Sequence, residues 1–301
     1  MTVRKPEPQP THGPAAAGEQ SPRYAANCSI LLTELPMLQR PAAARAAGFD
    51  AVEYWWPFDR PAPREKDIQA FVTSVSDAGV QLVSIAFDPG DIVAGDRGLI
   101  SSVGRAAQVR DNMAATADVA HRLGCSTFVA LYGTREDSVK PAEQDETAVQ
   151  QLGYAASLVA DLGGQVVLEP LSGTPAYPIK TVSDAVTVLS RVTAATGQTN
   201  IGVLADLYHL AVNGTDVDVD LARFASWVGH VQVADAPGRT APGRGTLPLN
   251  RWVTALYGRG YTGWVGLEFL PDPEFTLKTL PSRGPLPNSA PRMTAATGGP
   301  A

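Results

Sequence analysis

A chain of 301 residues with 44% apolar and 18% charged residues has a globular composition and enough length for one large α/β domain. A formal charge of −6 and a pI near 5.3, without any cluster of Lys and Arg, argue against the phosphate neutralisation on which nucleic-acid binding depends. No window approaches the roughly 18 uninterrupted apolar residues of a membrane span, so no membrane partner is expected.

Residues 1–23 are dominated by Pro, Ala, Gly and polar types, which cannot bury enough apolar area to offset the entropy of ordering, and they read as a flexible tail. Arg4 and Lys5 are followed by prolines and polar residues rather than an apolar stretch. The segment therefore does not read as a secretory leader, and a cytoplasmic protein is expected. From Tyr24 onward, short apolar runs alternate with longer amphipathic stretches. YAANCSILL reads as a strand, PMLQRPAAARAAG as a helix, FDAVEYWW as the second strand and EKDIQAFVTSVSDAG as the second helix. The strand QLVSIAF from Gln81 leads through the helix AAQVRDNMAATADVAHRLG to the strand STFVALYG from Ser126. The helix ETAVQQLGYAASLVADLG then precedes the strand VVLEPL from Val166, and TVSDAVTVLSRVTAATG precedes IGVLADLYHL from Ile201. Two further helices, DVDLARFASW and LNRWVTALYGRG, lead to the strands HVQVADAPG from His230 and TGWVGLEFL from Thr262. Several helices end in Gly, the common residue past a helix carboxyl terminus. From Pro281 neither helical nor strand period persists, so 281–301 reads as a second flexible tail. Cys28 and Cys125 both sit in apolar runs and read as buried unpaired thiols of a reducing compartment.

Eight strands, each followed by helical material except the last, predict a (β/α)8 TIM barrel as a single domain over 24–280. An open doubly wound sheet competes, but the first strand-to-helix turn lacks a G-x-G-x-x-G phosphate cradle. Near-continuous apolar strands also suit a parallel barrel, whose strands are covered on both sides.

Polar residues interrupt the late strands at Glu169, Asp206, Gln232 and Glu268, each toward the carboxyl end. In a barrel that end carries the active site, so oxygen ligands from separate strands would converge in one mouth. Buried carboxylates without partners are costly. A shared divalent cation accounts for the whole set, and its all-oxygen donors suit Mg2+ or Mn2+; pairing of each with a nearby Lys or Arg is the alternative. His209 follows Asp206 by three and could donate to a substrate oxygen as a neutral imidazole, whereas His230, deeper on the strand of Gln232, reads as a satisfied core histidine. The Gly- and Pro-rich loop ADAPGRTAPGRG would bring Arg239 over the mouth to hold a substrate carboxylate, with Arg244 a solvated loop charge. Glu53, with Trp55 and Trp56, ends the second strand on the same face and could line the pocket.

At these motifs the sequence resembles the hydroxypyruvate isomerase family of xylose-isomerase-like TIM barrels. The matching stretches are YAANCSILLTELP, AAGFDAVEYWWPFD, PGDIVAGDRG, LEPL, LADLYH, GHVQVADAPGR and GYTGWVGLEFLP, in order from about Tyr24 to Pro271. The resemblance implies interconversion of hydroxypyruvate and tartronate semialdehyde, or of a close relative such as a 2-oxo-tetronate, through an enediol or enediolate. It also implies paired acid and base roles for Glu169 and Glu268, which suits a reaction that takes a proton from one carbon and returns one next door. A small sugar acid is then the expected partner, and a homo-oligomer stays open. The chain departs from the family where Phe269 and Leu270, rather than an aromatic and a cation, precede Pro271, and where SGTPAYPIKT follows LEPL. Related ketose 3-epimerases carry a His where Gln232 stands. A ketose 3-epimerase, an inosose-type dehydratase and a sugar-acid binding barrel without catalysis remain alternatives, because a scaffold does not fix a reaction. A nuclease of the endonuclease-IV type would need a His-rich zinc cluster, and the chain has only His12, His121, His209 and His230.

Overall fold

Eight strands pair in sequence order, every neighbour parallel, and the last pairs with the first to close the sheet. They are β1 (Tyr24–Asn27), β2 (Ala51–Tyr54), β3 (Gln81–Ala86), β4 (Thr127–Ala130), β5 (Gln165–Leu168), β6 (Ile201–Asp206), β7 (Val228–Val233) and β8 (Val265–Leu267). The helices around them are α1 (Arg40–Ala46), α2 (Glu65–Ala78), α3 (Ala106–Leu123), α4 (Pro141–Ala160), α5 (Val182–Thr196), α6 (Leu207–Val212), α7 (Val217–Phe224) and α8 (Leu249–Gly258). This computed structural model describes residues 21–272 and 275–288. The expected tails therefore lie outside the described residues over 1–20 and 289–301.

The (β/α)8 barrel follows from the pattern of burial. Strand residues are covered on both sides, inside by layered barrel side chains and outside by helices, and β2, β4 and β6 are buried throughout. Each helix turns one apolar stripe to the sheet, as α2 does with Ile68, Phe71 and Val75. Helix starts are specified locally. Thr181 and Asp184 form a reciprocal cap on α5, the threonine hydroxyl accepting from Asp184 N and the Asp184 carboxylate from Thr181 N. Pro141 opens α4 at its first position, five residues before the predicted start. Cys28 and Cys125 are buried and unpaired, and no described helix is long and apolar enough to cross a membrane.

Two expectations shift. The run IGVLADLYHL is not one strand: β6 stops at Asp206, whose side chain accepts from the backbone N–H groups of Tyr208 (2.8 Å) and His209 (3.2 Å) and caps α6. The packed chain also continues past 280. Tyr24 N donates to Ser282 O, Arg23 and Arg283 form an antiparallel bridge, and Leu286 is buried with its backbone held by the Asn250 side chain. One buried leucine and side-chain-to-backbone bonds, rather than a periodic face, hold this segment, so patterning does not reveal it.

Candidate active site

The carboxyl ends of the strands enclose a cavity of about 330 Å3. Glu53 stands in β2 and Gln232 in β7, Asp206 ends β6, and Glu169 and Glu268 lie one residue past β5 and β8. The barrel thus brings five of the predicted polar groups together with His209 and Arg239. All but Asp206 line the cavity, and Asp206 lies fully buried against it.

The floor is a hydrogen-bonded network centred on Glu53. Its Oε1 accepts from Asn27 Nδ2 (2.9 Å) and Gln232 Nε2 (2.7 Å), and its Oε2 pairs with His230 Nε2 (2.7 Å). Glu53 lines the cavity while its carboxylate is engaged by these three side chains, and His230 is hydrogen-bonded within this floor. Gly266 on β8 makes room for this network, because a Cβ there would overlap the Glu53 carboxylate. Asn27 Nδ2 also donates to Glu268 Oε2 at 2.9 Å, tying two carboxylates through one amide.

Above this floor sit Glu169, Asp206 and Glu268. Burial pushes Glu169 well above the ordinary carboxylate range, and the charges of Glu268 and Asp206 push it further. Burial raises Glu268 to about 7 even though the Arg239 guanidinium pulls the other way. The Glu169 backbone is fixed by Tyr177, whose hydroxyl donates to Glu169 O (2.7 Å) and accepts from Tyr132 N–H (2.9 Å).

Unmet acceptors here fit a cation. Asp206 uses Oδ1 as a helix cap, which leaves Oδ2 buried without a hydrogen bond; Gln232 spends its amide N–H on Glu53, which leaves Oε1 likewise. Orphaned buried acceptors of this kind are expensive unless something binds them. Glu169, Asp206 and His209 each offer a ligand atom within 4.8 Å of the others. His209 is a different case from the two carboxylates. Its Nδ1 receives the backbone N–H of Ser172 at 3.1 Å and lies 2.7 Å from the Ser172 hydroxyl, and since an N–H only donates, Nδ1 is the unprotonated nitrogen. A neutral ring then carries its proton on Nε2, which lies 3.6 Å from Asp206 Oδ2, so His209 presents a donor beside the carboxylates and not a cation ligand. Burial lowers its pKa and keeps it neutral. Oxygen ligands therefore remain from Glu169, Asp206 and Gln232, with Glu268 beside them.

Arg239 differs most from expectation. The loop after β7 is braced by Asp235, which accepts from Gly243 N (3.0 Å) and Leu247 N (2.9 Å). Arg239 itself adopts a left-handed backbone (φ 55°), with Leu270 N bonded to its carbonyl at 2.7 Å. Its guanidinium does not stand free over the mouth. It is bonded to Glu268 and lies 3.7 Å from Asp206 Oδ2, which commits its charge to the carboxylate cluster. Arg244 is an exposed loop charge 4.0 Å from Asp272. Trp55 lines the cavity, whereas Trp56 packs in the core with its indole N–H on Arg60 O.

Asn27, Ser172, Tyr177 and Arg97 belong to the site but were not singled out. Asn27 and Ser84 interrupt their apolar strands as Glu169 does, so the rule used on the late strands would have found both early ones. Ser172 and Tyr177 act through single hydroxyl and backbone contacts to distant residues, which leave no pattern.

The family described as "Xylose isomerase-like TIM barrel" matches residues 41–285. A Streptomyces coelicolor protein provisionally named a hydroxypyruvate isomerase is 46% identical over 253 residues, covering 83% of this chain and 91% of its own length. The 2-oxo-tetronate isomerase of Cupriavidus necator is 31% identical over 83% of this chain and 93% of its own. A crystal structure of a Brucella melitensis protein named AP endonuclease, family 2, is 32% identical with a TM-score of 0.77, covering 86% of this chain and 96% of that one.

Proposed function

Because this chain belongs to the xylose isomerase-like TIM-barrel family and is a sugar-acid isomerase, we propose that it interconverts hydroxypyruvate and tartronate semialdehyde, or a closely related small 2-oxo acid such as a 2-oxo-tetronate. The observation that carries this reading is the pair Glu169 and Glu268, two buried carboxylates with raised pKa on strands three apart round one cavity. A carboxylate raised to about 7, as Glu268 is, beside a second one raised in the same direction is suited to take and return protons at neutral pH.

One glutamate takes a proton from the hydroxymethyl carbon of hydroxypyruvate, giving an enediol or enediolate across that carbon and its neighbour. The other returns a proton to the neighbouring carbon while the hydroxymethyl O–H proton passes to the former carbonyl oxygen, which leaves the carbonyl shifted by one position, and exchange with solvent resets the two glutamates. His209 Nε2–H donates to a substrate oxygen and stays neutral throughout. Asn27, Arg239 and the Glu53 network hold Glu268 in place and exclude water beneath it. A divalent cation, Mg2+ or Mn2+ from the all-oxygen set of Glu169, Asp206, Gln232 and Glu268, would polarise the carbonyl and stabilise developing negative charge. The nuclease name of the Brucella relative does not carry over: His209 is the only histidine among the described residues lining the cavity. Buried unpaired Cys28 and Cys125 support placing the enzyme in the cytoplasm.

The test is proton exchange followed by NMR in D2O with Mn2+ or Mg2+, hydroxypyruvate or 2-oxo-tetronate as substrate, and Glu268→Gln as control. Isomer formation with carbon-bound deuterium, lost in the variant, is expected. Exchange with inversion at one carbon and no carbonyl shift would instead mark an epimerase, and loss of water a dehydratase.

A further inference from the structure

We infer that Arg97 is the receptor for the substrate's carboxylate and hence the residue that selects sugar acids over neutral sugars; this assignment rests on the sugar-acid reading of the same cavity. Among the described residues lining the cavity, only Arg97 and Arg239 carry a fixed positive charge. Arg239 turns Nη2 to Glu268 and Asp206 and keeps only a buried Nε without a partner, so its charge is already shared with the carboxylates. A cavity edged by Glu53, Glu169 and Glu268 repels an anion unless some cation is left to meet it.

Beside a metal held by the carboxylates, Arg97 is the side-chain cation left to meet it. It has no ion pair with a carboxylate among the described residues, and its hydrogen bonds leave one edge of the guanidinium free. Nη1 spends both N–H groups on backbone carbonyls, Ile92 O at 3.0 Å and Asp96 O at 2.6 Å. Among the described residues Nε and Nη2 meet no protein acceptor, and these two form the parallel-donor edge that binds a carboxylate in two-pronged fashion. A half-buried arginine oriented by two backbone carbonyls has little side-chain entropy left to lose on binding.

The loop that carries Arg97, between β3 and α3, is built to hold it still. Arg105 grips Asp96 through both oxygens at 2.6 and 3.0 Å, and Asp96 Oδ2 also accepts from Asp91 N. Asp91 Oδ1 accepts from Val93 N and Ala94 N. Gly98, at φ 91°, lies so close to the Leu131 backbone that a Cβ would overlap it, and its N–H bonds Pro89 O at 2.8 Å. This is the PGDIVAGDRG run, in which the glycines and aspartates serve the loop and the arginine is left over for a ligand.

The test compares an acid with its neutral counterpart in the metal-supplemented full chain. Binding of D-glycerate, which has no carbonyl to react, is measured against glycerol by titration calorimetry in wild type, Arg97→Met and Arg97→Lys. The assignment expects Arg97→Met to weaken glycerate about 10- to 100-fold, and Arg97→Lys, which keeps charge but lacks the paired edge, to fall between. In turnover, the preference for hydroxypyruvate over dihydroxyacetone should drop by a similar factor. Unchanged glycerate binding in Arg97→Met, no glycerate binding in wild type, or equal loss toward both substrates would overturn it, the last showing that Arg97 merely braces the loop. If wild type turns over no 2-oxo acid while the glycerate difference persists, the proposed reaction fails and the carboxylate receptor stands.

Discussion

Ser172 sets the protonation of His209: its backbone N–H points at Nδ1 from 3.1 Å and leaves the ring proton on Nε2. The ring is buried, which lowers its pKa below the ordinary histidine value. His209 should therefore act as a neutral donor across the whole working range, and the kcat/KM profile should show no acid limb that disappears on its removal. His209→Phe is expected to lower kcat/KM about 10- to 100-fold, roughly the cost of one lost hydrogen-bond donor or somewhat more, without changing the shape of the pH profile. An acid limb near pH 6.5 present in wild type and absent from the variant would mean that the imidazolium form matters.

Metal removal should make stability depend on pH in an unusual direction. Burial raises Glu169 well above the ordinary carboxylate range and Glu268 to about 7, so from that ordinary range up to about pH 7 the folded chain holds more protons than the unfolded one. Stability from raised carboxyls is present at low pH and is lost as pH climbs through the folded pKa. His209, with its lowered pKa, acts in the opposite sense below about 6.5, but it is one group against two. Metal-free protein should thus melt at a lower temperature at pH 8 than at pH 5.5, and Mn2+ should raise the melting temperature more at pH 8, where Glu268 has lost its proton and fewer protons must leave on binding. Differential scanning fluorimetry with EDTA or Mn2+ across that range decides it; a metal-free melting temperature that rises with pH would show that the carboxylates are not held near neutrality.

What the sequence made legible, and what it did not, divides along a physical line. Strand count, helix order and the carboxylates at the ends of β5, β6 and β8 are visible because burial on both faces leaves apolar runs in which any polar residue stands out. Asn27 and Ser84 gave the same signal, and both pair across from Glu53 on β2, but neither carries a charge that would mark it in the sequence. The role of Arg239 was not readable, since its partners Glu268 and Asp206 come from other strands and only closure of the barrel brings the three together. The same holds for Ser172, whose contribution is a backbone N–H that every non-proline residue possesses. Strand ends were overrun at Asp206 because a side-chain cap, rather than a change in hydrophobicity, starts α6.

Asn27 bridges Glu53 and Glu268 with one amide nitrogen, 2.9 Å from each. Replacing it by alanine leaves two buried carboxylates each short of a donor, and an unsatisfied buried acceptor costs about 1–3 kcal/mol. Asn27→Ala should lower stability by that order in chemical denaturation. It should also raise the apparent pKa governing the basic form of Glu268, so the pH–rate profile should shift upward relative to wild type. A stability loss without any shift in the profile would mean that Asn27 supports the fold alone.

Gly266 offers the sharpest test of the barrel interior. A Cβ at this position would collide with both carboxylate oxygens of Glu53, and Glu53 cannot swing aside without surrendering its bonds to Asn27, Gln232 and His230. Overpacking of a fixed core neighbour costs about 1–3 kcal/mol, so Gly266→Ala should be destabilised by that amount despite adding a single methyl. Glycine also has more unfolded-state freedom than alanine, which by itself would make the substitution stabilising by about 0.4–1 kcal/mol. The sign of the measured change therefore separates the two effects. Combining Gly266→Ala with Glu53→Ala completes a double-mutant cycle. If collision with Glu53 is the cause, the alanine at 266 should cost nothing further once Glu53 is truncated, a coupling of at least about 1 kcal/mol. Additive losses would place the strain elsewhere on β8, and the space beneath the active site would then owe nothing to this glycine.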